Sequence, residues 1–263
     1  MPSNVSERWR RQGPLVSPYR MKPSSKASVE GEAPSGFAGG RGDASPLDRQ
    51  ASSIDIDDEK EIARLRAISY LEDDAYLNGY RLIAGIDEVG RGSLAGPVVA
   101  AAVLLPKDSL IFGVTDSKEL GERKRESVFE EIRKRAVDIG IGIVNASLID
   151  RINILQATIL AMQKAVLGLK TSPDYLLIDA VKIPGLDIRQ KSVIKGDSLS
   201  ISIGAASIIA KVTRDKIMKD YHSRFPLYNF ISNKGYGTKA HLESLSRYGP
   251  CEIHRLSFRG VRS

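Results

Sequence analysis

The order of short apolar segments along the chain is the feature that most restricts its fold. Three segments bounded by Gly and Pro, at residues 81–86, 98–105 and 137–147, are typical of β-strands. Two shorter strand segments follow at 175–178 and 192–194, and helical patterns separate these later strands. Strands that first meander and are then separated by helices predict an α/β domain with a mixed sheet.

Four segments have a helical pattern: residues 54–77, 116–135, 154–169 and 203–221. The third has the clearest spacing, because apolar residues recur at i, i+4, i+7 and i+11: Leu155, Ile159, Met162 and Val166. This spacing predicts an apolar stripe that faces the sheet. The second segment is predicted to be a charged surface helix, and the fourth a long amphipathic helix.

The first 53 residues differ in composition from the rest, because 22 of them are Gly, Pro or Ser. Such a segment buries too little apolar surface to offset the entropy of ordering it. We therefore predict a disordered N-terminal extension over 1–53 and a folded domain over 54–263. An organelle transit peptide is the alternative, since the first 29 residues carry six basic groups and only Glu7 as an acid. Met21 is an alternative start.

Positive charge is concentrated in the last part of the chain. The formal net charge is +7, and residues 189–263 contain 14 Lys and Arg against 5 Asp and Glu. A basic surface of this kind favours a polyanionic partner such as a nucleic acid. The alternative is a solvated basic face with no partner.

Cysteine usage and hydropathy restrict the compartment. The single cysteine, Cys251, excludes an intrachain disulfide and a Cys-based zinc site, which is typical of a reducing environment. No apolar run approaches the length of a bilayer span, and the N-terminus lacks a secretory signal pattern. We expect a cytoplasmic protein with no membrane partner. We also expect a monomer, because no long apolar surface helix is left without a role in the core.

Four acidic residues follow apolar strand segments. Asp87 and Glu88 come directly after residues 81–86, Asp179 ends the segment at 175–178, and Asp197 follows the last strand. If these strands are neighbours, their ends bring the carboxylates into one cluster, which then needs a cation to offset the repulsion. Oxygen ligands favour Mg²⁺ or Mn²⁺, and a pair of such ions can activate water for phosphodiester cleavage. For any one of these acids alone, a cap or turn residue is the simpler interpretation.

The segment Gly90-Arg91-Gly92 follows the acidic pair. It does not fit the dinucleotide-binding pattern, and the chain contains no P-loop lysine motif. Because glycine lets a backbone approach a ligand closely, its amides and carbonyls are candidates for contact with a sugar hydroxyl. A turn here would also allow Glu88 to reach the same side of the sheet as Asp87. The alternative is an ordinary tight turn.

The basic C-terminal part supplies three further candidates. Ser207 and Lys211 lie four residues apart on a predicted helix, where they share a face and can contact a phosphate; a solvated helix face is the alternative. Tyr236 lies between two glycines, where its ring can stack on a sugar or base. The three histidines lack metal-ligand spacing and are interpreted as packing or backbone-binding residues: His222, His241 and His254.

Eight segments between residues 85 and 258 form a recognisable set: GIDEVGRGSLAGPVVAAAV at 85–103, TDSKEL at 115–120, NILQATILAM at 153–162, LLIDA at 176–180, KGD at 195–197, ASIIAKVTRD at 206–215, NKGYGTKAH at 233–241 and GPCEIHRLSF at 249–258. Together, and in family order, they resemble ribonuclease HII, the type 2 ribonuclease H of bacteria. The extension before residue 54 has no counterpart in this resemblance.

The resemblance implies a ribonuclease H-like fold with a five-stranded mixed sheet flanked by helices, and a C-terminal helical portion that holds the duplex. It implies endonucleolytic hydrolysis of RNA in RNA/DNA hybrids and at single ribonucleotides in duplex DNA, leaving 3′-hydroxyl and 5′-phosphate ends. Two Mn²⁺ or Mg²⁺ ions and the following residues are implied in the site: Asp87, Glu88, Asp179 and Asp197 as metal ligands, Gly90, Arg91 and Gly92 at the 2′-hydroxyl, Tyr236 on the adjoining deoxyribose, and Lys118, Ser207 and Lys211 at phosphates.

Two other classes remain open from the sequence. A nucleic-acid binder without enzymatic activity would use the basic segment, with the acids as caps, and would bind in a salt-sensitive and Mg²⁺-independent way. A different nuclease of the same fold, such as a resolvase or an HIII-type ribonuclease H, is the other. The HIII type usually carries a separate N-terminal substrate-binding domain, which the Gly/Pro/Ser-rich extension does not resemble. The sequence identifies no protein partner, a replication clamp included.

Overall fold

The computed structural model describes residues 56–262. Its five strands are β1 (Ile83–Val89), β2 (Val98–Leu104), β3 (Asp138–Val144), β4 (Tyr175–Asp179) and β5 (Arg189–Val193). They form one sheet in the order β3-β2-β1-β4-β5. β1 lies at the centre and pairs antiparallel with β2 and parallel with β4. The prediction of a five-stranded mixed sheet is therefore confirmed.

The helices precede, separate and follow these strands. They are α1 (Ile56–Ala67), α2 (Tyr70–Leu77), α3 (Glu122–Arg135), α4 (Ala146–Leu167), α5 (Ile201–Arg224), α6 (Phe230–Asn233) and α7 (Lys239–Tyr248), with single 3₁₀ turns at Gly196–Ser198 and Pro226–Tyr228. Within residues 56–262, none of the helices combines the length and the apolar character that crossing a membrane requires. The predicted disordered extension over 1–53 lies outside the described residues.

The two faces of the sheet pack against different helices. On one face, small and apolar residues of α4, such as Ala161 and Met162, pack against Ala84 and Ile86 of β1. On the other face, α5 lies so close to β1 that a Cβ on Gly85 would be 2.0 Å from the backbone carbonyl carbon of Ser202. Because strand residues alternate between faces, Asp87 shares the α5 face with Gly85. The long helix α5 therefore packs against the face of the sheet on which Asp87 lies.

Two of the predicted helices are divided or interrupted in the structure. The described part of the segment predicted at 54–77, from Ile56 on, forms two helices, because the chain turns at Ser69, whose hydroxyl donates to the Leu65 carbonyl at 2.8 Å. The helix predicted at 154–169 begins at Ala146 and is interrupted at Asn153, which has a φ of 66°. The Asn153 side chain accepts a hydrogen bond from the Gln156 amide at 3.1 Å and so caps the second part of α4.

The exposure of two helices also differs from expectation, and a third helix begins later than predicted. Leu155, assigned to the apolar stripe of α4, is 45% exposed, because the buried face is formed by smaller neighbours such as Ala157 and Ala161. The amphipathic pattern predicted for α5 is wrong for its first half, since every residue from Ile201 to Ala210 is buried. The helix predicted at 116–135 starts only at Glu122, after a turn.

Candidate metal and nucleic-acid site

The acidic pair lies inside the central strand, and the prediction that it follows the strand is wrong. β1 stays paired with β2 as far as Val89, opposite Val99, whereas its pairing with β4 ends at Ile86, opposite Ile178. β1 and β4 therefore separate at the residues that follow, which are Asp87 and Asp179. The two carboxylates therefore lie at a gap between β1 and β4, while β1 is still held by its antiparallel pairing with β2.

Three of the four predicted acids come together at this gap. Asp87, Glu88 and Asp179 each offer one carboxylate oxygen, and these oxygens lie within 4.8 Å of one another. Asp87 and Glu88 share the cluster although no turn separates them, because the positive φ of 92° comes only at Gly90. The Asp87 carboxylate accepts a hydrogen bond from the Glu88 amide at 2.7 Å, which folds it back along its own strand.

The electrostatics of this cluster are those of an uncompensated group of acids. Burial, the Glu88 carboxylate and Asp179 raise the pKa of Asp87 well above its ordinary value, while a hydrogen bond from Ser207 opposes this effect. Burial also raises the pKa of Glu88, and Asp179 adds to the effect, whereas Arg91 opposes it from 3.3 Å. Repulsion of this kind is relieved by a bound cation.

Asp197 lies next to the cluster rather than within it. It is in the 3₁₀ turn after β5, where the neighbouring Gly196 amide donates to the Asp179 carboxylate at 2.8 Å. Burial and the Asp116 carboxylate raise the pKa of Asp197, and Lys118 opposes them. The Lys118 ammonium lies 4.0 Å from Asp197 and 3.7 Å from Asp116. Burial alone would lower the pKa of Lys118, but these acids raise it.

The two phosphate candidates of α5 have different surroundings. Ser207 is buried, and its hydroxyl lies 2.9 Å from the Ser117 hydroxyl and contacts Asp87. A solvated helix face is therefore the wrong interpretation for this residue. Lys211 pairs with Asp215 at 2.7 Å, and its side chain is only 15% exposed. Ser207 thus supports the acid cluster from beneath.

The residues that follow the Gly90–Gly92 loop pack directly against the loop that carries Tyr236. The amides of Leu94 and Ala95 both donate to the Gly235 carbonyl, at 2.8 and 3.2 Å. A Cβ on Gly235 would lie 2.4 Å from the Ala95 carbonyl oxygen, so only glycine allows this approach. Tyr236 follows, with 38% of its surface exposed.

Two buried histidines hold Tyr236 from behind. His241 Nδ1 donates to the Tyr236 carbonyl at 2.8 Å, so its neutral ring has Nε2 free to accept from His254 Nε2 at 3.0 Å. His254 Nδ1 then accepts from the Cys251 amide at 2.9 Å. Burial lowers the pKa of both rings, which keeps them neutral. The interpretation of these histidines as packing or backbone-binding residues is confirmed.

Four contributors to the site were missed in the sequence. Asp116 and Ser117 lie beside Lys118 in the motif at 115–120 and contact Lys118 and Ser207. Arg214 and Arg255 are buried beneath the two loops. The motifs contained all four residues, but arginine and serine alone give no sign in a sequence that they will be buried.

The three clustered acids fit a hard divalent cation. All donors are carboxylate oxygens, they are largely buried, and they repel one another unless a positive charge lies between them. Asp87, Glu88 and Asp179 are the residues that could hold such an ion, and Asp197 borders them. Cysteine and histidine take no part, because Cys251 and its neighbours form the separate histidine network described above.

Comparisons with known proteins agree with this arrangement. The profile of the ribonuclease HII family matches residues 84–261. A ribonuclease HII from Caldanaerobacter subterraneus subsp. tengcongensis is 54% identical over 200 residues, which cover 76% of this chain and 83% of that protein. A ribonuclease HII from Bacillus subtilis is 58% identical over 185 residues, covering 70% and 72%. The structure of the PCNA:RNase HII complex from Archaeoglobus fulgidus has a TM-score of 0.60 at 26% identity and covers 68% of this chain and 95% of that one.

The mixed sheet and the buried acids at the open end of its central strand define a nuclease of the ribonuclease H class. Enzymes of this class depend on metal ions, in agreement with the donor set. With the profile match and these relatives, the chain belongs to the ribonuclease HII family. It is a hydrolase, an endoribonuclease that degrades the RNA strand of RNA/DNA hybrids.

Proposed function

We propose that this enzyme also incises duplex DNA at single embedded ribonucleotides, leaving 3′-hydroxyl and 5′-phosphate ends, and thereby supports ribonucleotide removal during replication and repair. One observation carries this proposal: the acid cluster and Tyr236 are joined through the Gly90–Gly92 loop, whose continuation bonds to Gly235. A site that recognises one sugar and cleaves the adjacent phosphodiester needs a fixed distance between the residues that bind the sugar and the acids at which cleavage occurs.

We propose that two Mg²⁺ or Mn²⁺ ions bind here, with Asp87, Glu88, Asp179 and Asp197 as ligands. When bound, they supply Lewis-acid activation of water and neutralise charge on the leaving oxygen. The hydrogen bonds from the Glu88 and Gly196 amides orient the Asp87 and Asp179 carboxylates before any ion arrives. This preorganisation means that little reordering is needed on binding.

The substrate contacts follow from exposure and charge. Lys118, whose side chain is 78% exposed, presents its ammonium beside Asp197 and is suited to a phosphate near the scissile bond. Backbone groups of Gly90, Arg91 and Gly92 would contact the 2′-hydroxyl, the one group that distinguishes RNA from DNA at a single position. Tyr236 would pack on the next deoxyribose. Ser207 and Lys211 would support these groups without being the first to contact a phosphate, since both are already hydrogen-bonded to protein side chains.

The folded domain and the nucleic-acid substrates of this enzyme belong to the same proposal. We propose that residues 54–263 are sufficient for cleavage and that the enzyme acts as a monomer in the cytoplasm on RNA/DNA hybrids and ribonucleotide-containing duplex DNA. The Archaeoglobus fulgidus relative forms a complex with PCNA, so a sliding clamp is the first protein partner to test.

One assay tests the activity. Two labelled substrates, a duplex DNA with one embedded ribonucleotide and a uniform RNA/DNA hybrid, are incubated with the full chain in EDTA, Mg²⁺ or Mn²⁺. We expect metal-dependent cleavage of both, with a 5′-phosphate on the downstream product that a phosphatase removes. Cleavage of the hybrid alone would refute the single-ribonucleotide activity. Binding without cleavage in either metal would favour the non-enzymatic alternative.

A further inference from the structure

Two arginines beneath the site are fully buried. Arg214 and Arg255 are each 0% exposed. Within residues 56–262, neither guanidinium lies within 4.0 Å of a carboxylate oxygen. Burying a guanidinium is costly unless its N–H groups are satisfied, so the groups that satisfy it reveal what the arginine holds in place.

Arg255 holds the start of the loop that follows β1. Its guanidinium donates to the Gly90 carbonyl at 2.6 Å, to the Arg91 carbonyl at 2.8 Å and to the Gly96 carbonyl at 3.0 Å. The partners lie 159 to 165 residues away in sequence. One planar group thus fixes two successive peptide units of the Gly90–Gly92 loop and one residue where the loop ends.

Arg214 connects the continuation of this loop, residues 93–97, to the segment that carries Tyr236. It donates to the Ser93 hydroxyl at 2.8 Å, to the Ala95 carbonyl at 3.1 Å and to the Pro97 carbonyl at 2.9 Å. Its remaining nitrogen donates to the Lys234 carbonyl at 2.8 Å, and its Cζ atom lies 5.6 Å from the centre of the Tyr236 ring. A single side chain therefore contacts both loops.

We propose that Arg214 and Arg255 are positioning residues that set the distance between the Gly90–Gly92 loop and Tyr236, and that this distance determines selectivity for a ribonucleotide followed by a deoxyribonucleotide. The inference rests on the proposed function, since it assumes that the loop and the tyrosine read adjacent sugars. Neither arginine is assigned a contact with substrate. Both act through backbone carbonyls that only a multidentate, planar donor can satisfy together.

Lysine is the informative replacement because it keeps the charge but not the fork of donors. An ammonium cannot satisfy three carbonyls that a planar guanidinium reaches in fixed directions, so one or more bonds are lost and the loop shifts. A small misplacement of a reading group is enough to reduce cleavage by about tenfold or more. A long hybrid offers many positions for productive binding and should lose less than about threefold.

The experiment compares Arg255→Lys and Arg214→Lys with the wild type in the full chain with Mg²⁺ or Mn²⁺. kcat and KM are measured on the single-ribonucleotide duplex and on the uniform hybrid, and thermal unfolding reports the fold. Arg64→Lys is the matched control, because Arg64 also donates to a backbone carbonyl, that of Val114, away from both loops. We expect both variants, but not the control, to lower kcat/KM on the single-ribonucleotide duplex, divided by kcat/KM on the hybrid, by at least about threefold.

The outcomes separate this inference from the proposed function. Equal losses on both substrates, or an unchanged ratio, in folded variants of a wild type that cleaves both substrates would overturn the positioning role alone. If the wild type fails on the single-ribonucleotide duplex, the proposed function and the inference fall together. If the lysine variants do not fold, Ser93→Ala is the deciding variant, since it removes one acceptor of Arg214. It should lower kcat/KM on the single-ribonucleotide duplex relative to the hybrid by about threefold. An unchanged ratio of these two values would overturn the inference.

Discussion

Replacing Asp87 by Asn should nearly abolish cleavage and yet leave the metal-free protein at least as stable as the wild type. The carboxylate oxygens of Asp87, Glu88 and Asp179 lie within 4.8 Å of one another, and at an effective dielectric constant of about 20 each ionised pair repels by on the order of 3 kcal/mol. Burial and the neighbouring acids raise the pKa of Asp87 and of Glu88, which is the direction expected where like charges repel one another. Asn keeps an oxygen for the Glu88 amide and removes a charge.

The relief of repulsion and the loss of a metal ligand set the expected changes in Tm and in cleavage rate. Relief of even about 1 kcal/mol raises the Tm of a domain of this size by about 2–4 °C in EDTA. Cleavage should fall by at least about 10³-fold, because the loss of a ligand removes several kcal/mol of transition-state stabilisation. Added Mn²⁺ should raise the Tm of the wild type more than that of the variant, because ligand binding to the native state stabilises it.

The assay is thermal unfolding with EDTA or Mn²⁺, together with cleavage of a uniform hybrid. Asp187→Asn is the control, since Asp187 is exposed and away from the cluster, and it should match the wild type in both measurements. Normal turnover by folded Asp87→Asn, or a Tm several degrees below the wild type in EDTA, would refute the reasoning. The first result would remove Asp87 from the metal site, and the second would make it a structural residue.

Three other perturbations test separate parts of the structure. Tyr236→Ala should reduce cleavage at a single ribonucleotide by about tenfold more than cleavage of a long hybrid, as base or sugar stacking is worth about 1–3 kcal/mol; equal losses would remove its proposed role. Gly90→Ala should lower the free energy of unfolding by about 2 kcal/mol or more, because φ is 92° and a Cβ would lie 2.2 Å from Arg214 Nε, whereas Gly92→Ala, with nothing within 4 Å, should change it little in the same urea titration. Burial and the neighbouring His241 lower the pKa of His254 to about 4, so the native state binds fewer protons than the unfolded chain, and about 3 kcal/mol of stability present above pH 6.5 should be lost as the pH falls toward 4. His254→Asn should flatten that part of the stability profile, and a wild-type profile without a slope there would contradict the neutral pair.

The sequence predicted those parts of the site that depend on strand order. Asp87 and Asp179 follow apolar residues in strands that prove to be neighbours, so placing their carboxylates together required only the pairing of β1 with β4. Asp197 lies beside the cluster rather than within it because of the 3₁₀ turn after β5. The spacing of apolar residues in the sequence does not predict such a turn. The resemblance to the family named the same residues independently.

Other features depended on tertiary contacts that local patterns do not contain. Asn153 interrupts α4 with a positive φ inside an otherwise helical pattern, and its capping bond to Gln156 is visible only in three dimensions. The burial of Arg214 and Arg255 contradicts the usual expectation for arginine, because their partners are backbone carbonyls that any residue type can offer. Leu155 is exposed because Ala157, Ala161 and Ala165, rather than the leucine, lie on the face of α4 that packs against the sheet.

The bonds from Arg255 to Gly90 and Arg91 also bear on how the molecule is made. They join residues 164 and 165 positions apart, among the longest separations between hydrogen-bonded residues in the described part of the chain. Contacts of such separation form late, after the sheet has brought distant segments together. During synthesis, β1 and its acids therefore emerge from the ribosome long before the arginine that orders the adjoining loop. The proposed discrimination between sugar types therefore depends on a residue that is synthesised 164 positions after Arg91.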